Sequence, residues 1–192
     1  DLAVKASDEL VWMNPAEAYF LRAEGAARGW NMGGEEKDLY EAGVRLSFEI
    51  CGVSGADAYL ADETSVPAPY TDPANSGNSI GEGSPLLGDI TIKWNEEAGF
   101  EEKLERIITQ KWIAIYPDGQ EAWSEFRRTG YPKVFPVAIN NSGGTIDTEK
   151  QVRRIPFPAT EYRDNNANVM KAIQLLGGED NGGTPLWWDK KN

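Results

Sequence analysis

The most regular hydrophobic pattern in the chain runs through Phe100, Leu104, Ile107, Ile108, Lys111–Trp112 and Ile115. Those steps of three and four residues predict one face of a helix. Tyr116-Pro117 ends it, because proline disfavours helical geometry in the residue before it. Asp118 followed by Glu121 has the spacing of a capping box and predicts a second helix. That helix should carry Trp123 and Phe126 inward, end in Arg127-Arg128 at the negative pole of its dipole, and close at Gly130 and Pro132. A second pair is predicted upstream. Asn14-Pro15-Ala16-Glu17 opens a helix to about Arg28, with Asn as cap and Pro in the first turn. After the Trp30–Gly34 turn, another runs from about Glu35 to Cys51, with Leu39, Tyr40, Gly43, Val44, Ser47, Phe48 and Cys51 along one side.

The remaining elements are shorter. Residues 1–13 read as an entering strand or loop, Ser54–Leu60 as a short helix, and Asp89–Trp94 as a short strand by its alternation. Val152–Phe157 is an extended segment ending in two prolines. A last helix begins at Asn165 or Asn166, passes through Val169, Ala172, Ile173 and Leu176, and closes at Gly177-Gly178. Between these lie a proline- and glycine-bearing loop, Ala61–Asp89, and another over Lys133–Lys150. Loops of that length in a compact domain are usually functional or disordered. The fold class is therefore mainly α: tetratricopeptide-like helical hairpins with long inserted loops and short strands, expected as one domain over residues 1–192.

Four stretches resemble a known family. IITQKWIAIYPDGQEAWSEFRRTGYP is similar to the signature segment of the SusD/RagB proteins, in their starch-binding, outer-membrane-associating branch. The resemblance recurs in AEAYFLRAEGAARGW, in LSFEICGVSGADAYLAD, and in RRIPFPATEYRDNNANV with GGEDNGGTPLWWD, covering nearly the whole chain in family order. It implies a tetratricopeptide-like helical scaffold and a non-catalytic, cell-surface nutrient-binding lipoprotein. Such a protein captures oligosaccharides for a SusC-like TonB-dependent transporter in polysaccharide utilization. Family members are longer, so the chain is expected to be the C-terminal part of one. The signal sequence and lipid anchor would then lie on the N-terminal part. A helical-repeat adaptor for protein partners is the alternative.

Composition narrows the chemistry. A formal charge of −12 repels phosphate backbones and anionic headgroups, so no nucleic-acid partner is expected. The chain has no histidine, which removes the commonest acid/base group and metal ligand. Glu121 and Glu125 lie one helical turn apart, as a glycosidase pair could. The cap explains the first, and an exposed face or pairing with Arg128 the second, so no catalytic residue is assigned. The oxygen-rich runs Asp164–Asn166 and Glu179–Asn181 lack EF-hand spacing and read as caps and turns; no metal or cofactor is implied. Cys51, the single cysteine, is expected to be a buried thiol. Arg127-Arg128 and Arg153-Arg154 read as ends of a helix and of extended segments, and Trp187-Trp188 as a pin for the terminus. Sugars are met by an aromatic face flanked by amides and carboxylates. The candidates outside the helical core are Tyr70, beside Asp72 and Asn75, Trp94, beside Asn95, and Trp30, beside Asn31.

Overall fold

The computed structural model describes residues 11–85, 87–137 and 139–189. The expected entering strand lies largely outside them. The chain folds as two compact units, Asp1–Ser65 with Ile90–Ala122, and Val66–Asp89 with Trp123–Asn192. The first holds α1 (Pro15–Ala27), α2 (Glu36–Ile50), α3 (Ala56–Leu60), α4 (Phe100–Ala114) and the start of α5 (Gly119–Thr129). The second takes the rest of α5, α6 (Ala159–Asp164) and α7 (Asn166–Leu176). The mainly helical reading is correct.

Helix α1 begins as its sequence dictates: the Asn14 side chain accepts the Ala16 N–H at 2.9 Å, with Pro15 in the first turn. It packs on α2 as a helical hairpin. Buried Ala16 and Ala23 bring the backbones close, and Phe20 lies over Gly43, where an added Cβ would meet its ring at 2.9 Å. Phe20 meets Tyr40 edge-on, and Tyr40 meets Trp94 at 5.2 Å between ring centres. Helix α4 runs antiparallel to α1, with Asn14 bonded to the Ala114 carbonyl, Glu17 paired with Lys111, and Arg28 over the Phe100 ring.

Lys111 sits at the centre of this packing. Its side chain is wholly buried, with the ammonium 3.2 Å from the Glu17 carboxylate on α1 and 2.7 Å from that of Glu121 on α5. An ammonium can leave water only when charge and hydrogen bonds replace its hydration. The two glutamates do so from two different helices. This alters the expected capping box: Asp118 accepts the Glu121 N–H at 3.0 Å, but the Glu121 carboxylate turns to Lys111 instead of reaching back.

Three further expectations need correction. Asp89–Trp94 is not a strand, because side chains satisfy its carbonyls in place of a neighbouring strand. The Tyr40 hydroxyl donates to Ile92 O at 2.6 Å and Arg106 Nε to Thr91 O at 3.0 Å. Cys51 is exposed. It follows the last turn of α2, whose burial stops at Val44. On α4 it is Lys111 that faces inward, while Trp112 is half exposed. The sequence reading also missed α6, which starts directly after Pro158.

Two stability measurements test this core. Lys111→Met leaves the largely buried Glu17 carboxylate without its cation and should cost about 1–3 kcal/mol in chemical denaturation. Trp94→Ala should cost about 3–5 kcal/mol, as for other large core truncations; a loss under about 1 kcal/mol would contradict its place in the core.

Candidate functional site

The second unit is built on paired arginines. Arg127 Nη1 donates to Arg153 O at 3.0 Å, and Arg153 Nη2 returns a bond to Arg127 O at 2.9 Å. Both guanidinium groups are buried. That of Arg127 lies against two indoles, 3.6 Å from the Trp123 ring centre and 4.9 Å from that of Trp188. Burial pulls Arg127 below its usual range; Asp189 opposes this and Arg153 adds to it. Arg153 is held by both oxygens of Asp189, with Nε to Oδ2 at 2.7 Å. Arg154 pairs with Asp180, which also accepts from the Phe157 N–H and the Tyr162 hydroxyl. Arg127 thus sits in the last turn of α5, as its sequence position predicts, and together with Arg153 and Arg154 it also acts as an internal brace. The terminal pin is Trp188 with Asp189, whereas Trp187 is exposed.

Against this frame the 66–89 insertion folds back on itself through mutual backbone hydrogen bonds of Tyr70 and Ile80. Asp72 fixes the turn: its Oδ1 accepts the Ala74 and Asn75 N–H groups at 2.8 and 2.7 Å. Its Oδ2 takes the Tyr70 hydroxyl at 3.3 Å. Tyr70 stacks on Phe135, with ring centres 5.3 Å apart and planes 28° from parallel. Both rings remain open to solvent, at 37% and 42% exposure. They line a cleft of about 310 Å³ with Asn75, Asn78, Val137, Ile139 and Asn141. Apolar ring faces beside amide donors and acceptors suit a neutral, amphipathic ring such as a sugar.

The three sequence candidates separate clearly. Tyr70 lies in this cleft. Trp94 is 7% exposed and is a core residue of the first unit, its ring engaged by Tyr40 and, on one side, by the Lys103 ammonium. Trp30 is in the first unit, 63% exposed, after the end of α1. Phe135, Asn78 and Asn141 escaped sequence reading; Phe135 sits in a loop with no periodic signal, far from Tyr70 along the chain. Glu125 is buried and held by Arg128 at 2.7 Å, and Glu121 by Lys111. Asp180 is taken by Arg154, and among the described residues no group of acidic or cysteine side chains is placed to hold a metal ion.

Comparison with known proteins agrees with the helical scaffold. A family model for SusD-like proteins, described as SusD and RagB outer membrane lipoproteins, matches residues 1–189, and the chain belongs to this family. No curated protein matches it. A solved SusD homologue from Bacteroides uniformis is 55% identical, with a TM-score of 0.90 over 98% of this chain and 38% of its own length. A chitin-binding SusD homologue from Flavobacterium johnsoniae is 54% identical, with a TM-score of 0.85 over 94% of this chain and 36% of its own. A third, from Bacteroides thetaiotaomicron, is 52% identical, with a TM-score of 0.88, covering 98% and 40%. The chain thus spans about two fifths of the solved relatives it matches. Among the described residues no helix is long and apolar enough to cross a membrane.

The Asp72 turn gives a pH test of the cleft wall. The backbone N–H groups of Asn75 and Ala74 hold its carboxyl below the ordinary range, against a smaller opposing effect of burial. A lowered native value means that its contribution is complete above the unfolded value and is lost as pH falls through the native one. The Ala74 and Asn75 amide signals in NMR should hold steady from neutral pH to about pH 5 and move only below about pH 4. In Asp72→Ala those signals should already be displaced at neutral pH. Movement of the wild-type amides near neutrality would contradict the assignment.

Proposed function

We propose that this protein is a non-catalytic, cell-surface glycan-binding protein that delivers oligosaccharides to a SusC-like TonB-dependent outer-membrane transporter. The observation that carries the reading is the exposed Tyr70–Phe135 pair with amides around it. Family membership supports the compartment, and a lipid anchor would tether the protein there. As the resemblance implies, this chain forms the C-terminal part of a longer member, with the anchor on the N-terminal part.

The first ligand class to test is N-acetylated glycan. A chitin-binding relative is 54% identical over 94% of this chain. An acetamido group also suits the cleft chemically, its methyl against Val137 and Ile139 and its amide beside Asn75, Asn78 or Asn141. Both glutamates one turn apart on α5 are bound to cations within the fold, which favours capture over hydrolysis.

Affinity electrophoresis in glycol chitin tests this directly. Stacking on one aromatic is worth on the order of 1 kcal/mol, so Tyr70→Ala and Phe135→Ala should each weaken retention several-fold. Their melting temperatures should stay within about 4 °C of the parent, because the cleft is outside the buried core. Full retention by both stable variants would remove the cleft from the binding site.

A further inference from the structure

The Tyr70–Phe135 cleft has a neighbour in the same unit. A second cleft, of about 410 Å³, is floored by Phe126 and Tyr131 and rimmed by Glu149 and Lys150. The segment between the two clefts has no helical or ladder hydrogen bonding, and its side chains divide between them. Val134 lines the second cleft, and Phe135 and Val137 the first, as expected where successive side chains of an extended chain point to opposite sides. Pro136 lines both clefts and is itself buried.

The rim of the second cleft is also built. Asp147 Oδ1 accepts the Glu149 and Lys150 N–H groups at 2.9 and 2.8 Å, and Arg153 Nη1 donates to Lys150 O at 2.8 Å. The backbone is thereby fixed while both side chains stay exposed. The second cleft repeats the chemistry of the first: an aromatic surface with polar groups at its edge, here a carboxylate and an ammonium instead of amides.

We infer that the two clefts are consecutive subsites of one groove, and that its ligand is an extended oligosaccharide whose chain crosses Pro136 from the Tyr70–Phe135 pair to Tyr131. The inference rests on the glycan reading above and adds chain length to it. A disaccharide occupies the first subsite alone, whereas a longer chain gains the second at no further cost in overall translational freedom.

Isothermal titration of the full chain with the N-acetylglucosamine disaccharide and hexasaccharide tests it. The hexasaccharide should bind at least about tenfold more tightly than the disaccharide. Tyr131→Ala and Lys150→Ala should each reduce that ratio, Tyr131→Ala to within about threefold of unity. Lys150 is exposed, so its variant tests the rim even if Tyr131→Ala fails to fold. Equal affinities for the two sugars, or a ratio preserved in the folded variants, would overturn the groove and leave the single-cleft reading standing. Failure of both sugars to bind would overturn the inference together with the N-acetylated-glycan reading on which it rests.

Discussion

Burial of the Lys111 ammonium is the constraint on which the first unit depends. A cation with no exposed side-chain surface must keep its carboxylates, and those come from α1 and α5. The consecutive helices α4 and α5 and the sequence-distant α1 are therefore tied to one atom. The hydrophobic contacts around it (Phe20, Tyr40, Val44, Ile107) are stronger in sum but non-directional, and could be met by several helix arrangements. The ion triad accepts few. We attribute helix register in this unit to the triad and most of its stability to the surrounding apolar packing.

The second unit solves a similar problem with a different cation. Arg127 and Arg153 exchange bonds with each other's carbonyl groups, which a guanidinium can do while its plane stacks on an indole. Lysine could not replace either in this geometry. The braces hold irregular backbone in place where the described residues form no sheet, so loops that carry the cleft start from fixed points. That division, rigid support beneath and variable loop above, is the usual ground for recognition.

Helices were legible in the sequence because their signals are local. Asn14-Pro15, the 100–115 periodicity and Gly177 each specify an element from within a few residues. What remained hidden was what side chains do at long range. Nothing local distinguishes Lys111 from an exposed lysine, and its place on the apolar face was the only hint. Trp94 next to Asn95 looks the same in sequence whether the indole stacks on a sugar or on Tyr40. Tyr70 could be nominated from its polar neighbours, but its partner Phe135 could not, since no periodicity links two loops separated by a helical pair. The expected strand at 89–94 had the right alternation; Tyr40 and Arg106 supplied the hydrogen bonds that a strand would have provided.

The close passage of Phe20 over Gly43 has a consequence for how such sequences diverge. The two positions share one fixed volume, so neither is free to change alone. A lineage that acquires alanine at 43 must first or simultaneously lose bulk at 20, and because the Phe20 ring also abuts Tyr40, that trade propagates to the aromatic stack. Positions 20, 40 and 43 should thus drift as a correlated set, giving this hairpin a slower evolutionary clock than the loops it supports.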